Sequence, residues 1–272
     1  MLDCHVVPTL MRRVAGRYFA AQQFLTRIPC PSWTPYAPGD LSASLAFFPV
    51  VGFVVGSIAA AAIALVCGAA HEAPAIGAVA AVAAGAIVTG AFHEDAVADV
   101  CDAFGAMSPA RRREIMRDSR VGSFGAFGVC VLVVAKVATL SSVPWRVAAA
   151  AMVLGHVVAR WTALPMTLRL HHVDDPASLA KPYADAATPT RAFFATLVPT
   201  APLAVVIVGP LVALGLLISV VALCALSGRF FVRWLGGLTG DCLGTVNQLA
   251  EVLTYAVVAQ PTVARAVLDR LT

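Results

Sequence analysis

Residues 192–228 read AFFATLVPTAPLAVVIVGPLVALGLLISVVALCALSG, 37 residues without one Asp, Glu, Lys or Arg. A bilayer's hydrocarbon core takes about 20 predominantly apolar residues per helix. The stretch is therefore too long for one span and the right length for two. Gly209-Pro210 sits near its middle, and proline removes a backbone donor and breaks a helix. Two membrane helices joined at residues 209–210 follow. That reading decides the fold class: an all-α, polytopic integral membrane protein.

The rest of the chain agrees. Of 272 residues, 60% are hydrophobic and only 12% charged, and the mean hydropathy is +0.84. Soluble domains carry about a quarter charged residues, so an ordinary soluble enzyme, a disordered chain and a nucleic-acid-binding domain are excluded together. No Asp, Glu, Lys or Arg occurs between Asp40 and Glu72, nor between Glu72 and Glu94. These stretches predict a hairpin of two spans, the second over residues 73–92, with a turn near residues 71–74. A third span runs over 121–135, with Lys136 placed to snorkel outward. A fourth covers 147–159 and is extended by 161–168. Residues 252–264 are apolar but short, and read as a half-span or an interfacial helix. Six spans, or seven, result. The seven cysteines are scattered without a C-x-x-C pair, which argues against a disulfide framework or a zinc knuckle; they read as small apolar fillers. Residues 1–34 hold Arg12, Arg13, Arg17 and Arg27 but no long uncharged apolar run, so they predict no signal peptide.

Arginines orient the spans. The N-terminal set precedes the first span, and Arg111, Arg112, Arg113, Arg117 and Arg120 lie between the second and third. Arg160, Arg169, Lys181 and Arg191 surround the fourth-to-fifth gap, and Arg229 and Arg233 follow the sixth. The turns at 71–72 and 209–210 carry no Lys or Arg. By the positive-inside rule every basic loop is cytoplasmic; residues 139–145, flanked by Lys136 and Arg146, are ambiguous. The net charge of +4 then belongs to loops and signals no polyanionic partner.

Three polar motifs share that face. His93-Glu94-Asp95 continues to Asp99 and Asp102, and on a helix the three aspartates fall within roughly 60° of arc. Carboxylates so placed repel one another unless a cation sits between them, and Mg²⁺ takes carboxylates together with substrate phosphates. A solvated acidic helix end is the plainer alternative. Residues 117–125, RDSRVGSFG, offer Arg120 as a planar fork for phosphate and glycines that admit a close ligand; Asp118 and Ser119 read equally as caps of the next helix. In residues 236–251, GGLTGDCLGTVNQLAE, a helix starting near Asp241 puts Asp241, Asn247 and Glu251 on an arc of roughly 120°, behind a glycine-rich entry suited to an anion. His156 reads as a packed helix contact. His171-His172 with Asp174-Asp175 is a weak metal candidate, because adjacent histidines do not share a helix face. Carboxylates, arginines and glycine-rich backbone on one membrane face describe a magnesium-dependent phosphoryl-transfer site.

Together the motifs resemble the cobalamin synthase family, also called adenosylcobinamide-GDP ribazoletransferases. That family's T-G-G-x-H-x-D-G-x-x-D-x-x-D-G pattern falls on Thr89 to Ala103, with alanine for glycine at positions 91, 96 and 103. Its D-S-R-x-G-x-F-G matches Asp118 to Gly125 completely, and its G-G-x-T-G-D-x-x-G matches Gly236 to Gly244, with Glu251 at the expected distance. Phe24 to Pro29 and Phe48 to Gly52 are also similar. The resemblance implies transfer of the adenosylcobinamide phosphate moiety from adenosylcobinamide-GDP to α-ribazole or its 5′-phosphate, releasing GMP. It implies Mg²⁺ as cofactor, held by Asp95, Asp99, Asp102 and Asp241. The catalytic set would be His93, Arg117, Asp118, Arg120, Asp241 and Glu251, with His93 and Asp241 both open as the base. Arg27, Ser119, Gly122, Thr239, Gly240 and Asn247 would bind substrate. Residues 1–272 would form one membrane-embedded catalytic domain: a basic segment 1–34, a polar loop 93–120 and the motif 236–251. It would sit in the inner membrane among lipid, its site cytoplasmic, with a second copy or other cobamide-pathway enzymes as further partners.

Competing readings predict other patterns. A CDP-alcohol phosphotransferase carries D-x-x-D-G-x-x-A-R, which is absent here. A membrane prenyltransferase usually carries two similar acidic motifs, and only one such cluster occurs. A transporter would place charges or broken helices at mid-bilayer.

Overall fold

The structure, a computed structural model, describes residues 6–34, 40–69, 74–173 and 188–272. The turn residues 71–73, Cys4, Asp174, Asp175 and Lys181 lie outside the described residues. Helix α1 is Val6–Leu25. A short helix at Asp40–Ala43 and a 3-10 turn lead into α2, Phe48–Ala69. Then come α3 (Pro74–Thr89), α4 (Phe92–Asp102), α5 (Pro109–Ile115), α6 (Ser123–Ser141) and α7 (Trp145–Trp161), the last continued by Ala163–Arg169. Pro189–Ala195 (α8) passes through a π-helical turn around Pro199 into Ala201–Val208 (α9). Pro210–Leu235 (α10), Gly240–Val258 (α11) and Pro261–Leu271 (α12) complete the chain.

Five segments are long and apolar enough to cross a membrane: Ser44–Gly68, Ser123–Ser141, Trp145–Arg169, Pro189–Val208 and Pro210–Leu235. Two bent pairs, α3 with α4 (91°) and α11 with α12 (81°), raise the number to seven if each is one span. The protein is thus a polytopic α-helical membrane protein. The break at residues 209–210 is where the sequence puts it: Gly209 takes φ 82°, closed to most side chains, and Pro210 starts α10.

Three expectations need correction. The last apolar segment is not residues 252–264. Val252 lies in the middle of α11, which starts at Gly240 inside the glycine-rich motif, and the chain breaks after Val258. Lys136 does not snorkel: it is 3% exposed and faces Glu251 and Gln248. The second span ends at Thr89, because Gly90 and Ala91 both take positive φ (70° and 56°) and turn the chain into α4. We read α4 and α5 as leaving the span direction, with α4 burying His93, Ala96, Val97, Ala98 and Val100 inside the fold.

Packing follows from small residues. Gly52 and Gly56 let α2 lie against α7, where an added Cβ would meet His156, Val153 and Met152. Most of Trp145–Arg169 is buried, whereas α6 and α10 bury only a minor share. Their outward residues, such as Phe127, Val134, Leu211 and Ile218, are exposed and apolar, as a lipid-facing surface requires. Six described cysteines are free, Cys67, Cys224 and Cys242 being buried. Arg113, Arg117 and Arg160 gather at one end of the bundle. Arg112 and Arg113 donate to the Trp234 and Leu235 carbonyls (2.8 and 2.5 Å), and Arg191 to that of Ser42. At the other end Gly209 lies beside Arg270 of α12.

Candidate active site

At the basic end a cavity of about 250 Å³ opens between α1, α4, α5, α7 and α11. One wall is apolar: Phe24 stacks on Phe48 (5.9 Å) and meets Phe92 edge-on (5.4 Å). Much of the remaining lining is polar, with His93 and Asp95 from α4, Arg113 and Arg117 from and after α5, Arg160 from α7, and Thr239, Gly240, Asp241 and Asn247 from α11. A large ligand with an apolar body and an anionic group meets both of its needs here.

The glycine-rich motif builds its side of the cavity by helix capping. Thr239 is extended and its hydroxyl accepts the Cys242 N–H (3.3 Å), which starts α11 and points Asp241 into the cavity. Residues 171–173 pair with the same turn: Val173 N–H donates to the Leu238 carbonyl and Leu238 N–H to that of His171. His171 Nε2 also lies 3.0 Å from the Gly236 carbonyl, so His171 braces the turn. Gly244 then lets α11 touch α4, since a Cβ there would sit 2.5 Å from that of Ala96. Thr245 seals the contact by donating to the Ala96 carbonyl (3.1 Å).

The aspartates divide. Asp95 is exposed at the cavity and Asp99 is half-buried behind it. Burial, with Asp241, Asp95 and Asp102 nearby, pushes the Asp99 carboxyl up to about 7. Asp102 turns away. Its carboxylate accepts the N–H groups of Gly122 (2.7 Å) and Gly125 (2.8 Å) and so caps α6, where negative charge complements the helix dipole. Glycine at 122 is thus needed to admit this carboxylate, and the close approach is internal. Among the described residues no three His, Cys, Asp or Glu side chains converge as a ready-made metal site. The chemistry of the donors still suits a hard cation: oxygen ligands from Asp95, Asp99 and Asp241, where burial first and neighbouring carboxylates second keep Asp99 protonated to about 7.

Other expected residues lie elsewhere. Asp118 and Arg120 form an exposed two-pronged pair (2.6 Å at the shortest) outside the cavity lining, with Ser119 exposed between them. Hydrogen bonding from Arg120 pulls the Asp118 carboxyl down to about 2. Asp118 does not cap α6; Asp102 does. Arg27 donates its N–H to the Val88 carbonyl, and its side chain lies under Gly90, bracing the α3–α4 bend. Glu251 is 1% exposed and sits deeper, against Lys136 (2.6 Å), His156 (2.8 Å) and Arg160 (3.5 Å). His156 is a packed contact, as its sequence context suggests. The sequence reading overlooked Arg113 and Arg160 as cavity residues. The signal for Arg160 is its place four residues after His156, on the face that α2 covers.

A family model described as cobalamin-5-phosphate synthase matches residues 17–259. An adenosylcobinamide-GDP ribazoletransferase of Polaromonas naphthalenivorans (strain CJ2) is 41% identical over 276 residues, covering 90% of this chain and 98% of its own. One from Ralstonia pickettii (strain 12J) is 37% identical over 240 residues, covering 86% and 91%. No solved structure matches.

Proposed function

We propose, because this chain belongs to the cobalamin-5-phosphate synthase family, that it is a membrane-embedded adenosylcobinamide-GDP ribazoletransferase. A hydroxyl of α-ribazole, or of its 5′-phosphate, attacks the phosphorus that bears the cobinamide. The bond to the bridging oxygen breaks, GMP leaves with that oxygen, and the hydroxyl proton passes to a base. The observation that carries the reading is the cavity itself: all three motif segments reach one space, with His93 and Asp95 from the first, Arg117 from the second, and Thr239, Asp241 and Asn247 from the third, beside Arg113.

Arg113 and Arg117 are positioned to hold phosphoryl oxygens by charge-assisted hydrogen bonds. His93 is buried, and its Nδ1 has no partner among the described residues, which suits a base that receives the hydroxyl proton; Asp241 is the other candidate. Mg²⁺, when bound by Asp95, Asp99 and Asp241, would neutralise the pyrophosphate and ease the departure of GMP. The apolar wall of Phe24, Phe48 and Phe92 excludes water from the reacting phosphorus, where hydrolysis would compete. We place the site on the cytoplasmic face of the inner membrane, a reading supported by the arginines gathered at that end. Lipid surrounds the helices, and a second copy or other cobamide-pathway enzymes are the proposed protein partners. No observation favours a CDP-alcohol or prenyl-pyrophosphate transferase or a transporter.

The test is reconstitution of the purified protein with adenosylcobinamide-GDP, Mg²⁺ and α-ribazole, with and without its 5′-phosphate. GMP release and the corrinoid mass are read together. No GMP with either acceptor would overturn the assignment.

A further inference from the structure

Beneath the cavity lies a buried polar layer that the proposed chemistry does not use. Lys136, His156, Arg160 and Glu251 are each 5% exposed or less. Lys136 Nζ donates to Glu251 Oε2 (2.6 Å) and to Gln248 Oε1, and lies 3.8 Å from Glu94 Oε1. His156 Nδ1 is 2.8 Å from Glu251 Oε1 and 2.9 Å from Arg160 Nη1. One ring nitrogen carries either a proton or a lone pair, so it can satisfy only one of these neighbours. With a proton it serves Glu251 and opposes the arginine N–H; with a lone pair it serves Arg160 and opposes the carboxylate.

Glu251 is well matched without Arg160, because Lys136 and His156 already approach it more closely than the 3.5 Å arginine contact. Arg160 is not well matched. Nη1 also reaches the His156 carbonyl (3.2 Å), but Nε has no partner among the described residues. A guanidinium stays charged when buried, and an unsatisfied buried donor is costly. Arg160 nonetheless lines the cavity, together with Arg113 and Arg117.

We infer that Arg160 is an anion ligand at the cavity floor, taking a phosphoryl oxygen, and that Glu251 is its positioning residue. An entering anion accepts the donors that the protein leaves unmatched and releases His156 Nδ1–H to Glu251 alone. That the anion belongs to a nucleotide-linked pyrophosphate rests on the function proposed above; the anion subsite itself does not.

The experiment titrates inorganic pyrophosphate into the full-length protein in detergent, in metal-free buffer, by calorimetry. Unliganded unfolding midpoints report folding. Arg160→Met should weaken binding at least tenfold, Arg160→Lys should fall between it and wild type, and Glu251→Gln should weaken binding with partial rescue by Glu251→Asp. In turnover, Arg160→Lys should raise KM for adenosylcobinamide-GDP and leave KM for α-ribazole unchanged. If Arg160→Met does not fold, Arg160→Lys decides, since it keeps the charge: loss of affinity supports the subsite. Wild-type affinity in a folded Arg160 variant, or no pyrophosphate binding by the wild type, overturns it. Pyrophosphate binding that depends on Arg160 in a protein that releases no GMP keeps the subsite and sinks the transferase reading.

Discussion

Asp102 provides the sharpest test of how the acidic motif divides its labour. Its carboxylate caps α6 through two N–H groups at 2.7 and 2.8 Å. Bonds to a charged acceptor contribute about 1.5–3 kcal/mol each when shielded. Gly122 is exposed, so water replaces part of its bond, and Asp102→Ala should cost about 2–3 kcal/mol in total. Gly122→Ala should hurt through the same carboxylate. The new Cβ would stand 2.5 Å from Asp102 Oδ1 and 3.0 Å from its Cγ, pushing the side chain off at least one N–H at about 1–1.5 kcal/mol. Position 122 has φ −89° and ψ −179°, which alanine adopts freely. Once Asp102 is gone the same substitution should be neutral, or stabilising by about 0.4–1 kcal/mol through the unfolded chain. The double-mutant cycle should therefore show coupling of about 1–2.5 kcal/mol. Equilibrium unfolding in mixed micelles, followed by tryptophan fluorescence, measures it. Equal costs for Gly122→Ala in both backgrounds would refute the cap. So would an Asp102→Asn protein that unfolds like wild type yet has lost divalent-ion binding.

Three further outcomes are expected. Ala91→Gly should raise stability by about 0.5–1 kcal/mol, because a left-handed alanine (φ 56°) is strained; a lower unfolding midpoint would count against the bend. Asp99, at about 7 when folded against an ordinary 3.8, binds its proton more tightly in the folded state. The stability that Asp99 contributes to the metal-free protein should thus be fully present below about pH 4 and be lost as pH rises through about 7, with millimolar Mg²⁺ offsetting the loss and Asp99→Asn removing this dependence; an Asp99→Asn protein with the wild-type pH profile in metal-free buffer would contradict this. Engineered cysteines at Pro210 and Thr272 should react with an impermeant reagent from outside while one at Ser108 should not, and labelling at Ser108 would invert the topology.

The hydrophobic spans were legible because lipid demands uncharged length, and residues 192–228 meet that demand without exception. Helix α11 hid for the opposite reason. Its Asp241, Asn247, Gln248 and Glu251 lower the apparent hydropathy, although all face inward toward other polar groups rather than lipid. Lys136 was misread on the same ground: spacing gives the depth of a lysine but not which side of the helix holds its partner, 115 residues away. Helical periodicity did group Asp95 with Asp99 and Asp102. It could not see that the third carboxylate would be taken by backbone N–H groups 20 and 23 residues later. The substitution at position 96 is intelligible only in three dimensions, where an alanine on α4 is matched by the bare Gly244 of α11.

The Lys136–Glu251 pair also sets a problem of timing. At about 5–20 residues per second, the 115 residues between them take roughly 6–23 s to synthesise. During that interval α6 must enter the bilayer carrying an ammonium group whose final counterion does not yet exist. Glu94, already made and 3.8 Å away in the finished fold, is the only carboxylate among the described residues that both precedes Lys136 in the chain and pairs with it. It can act as a provisional partner until α11 arrives, after which Lys136 keeps the shorter bond to Glu251 and Glu94 is left with an unmatched oxygen. A nascent chain truncated before α11 should therefore retain α6 in the membrane only while Glu94 is intact.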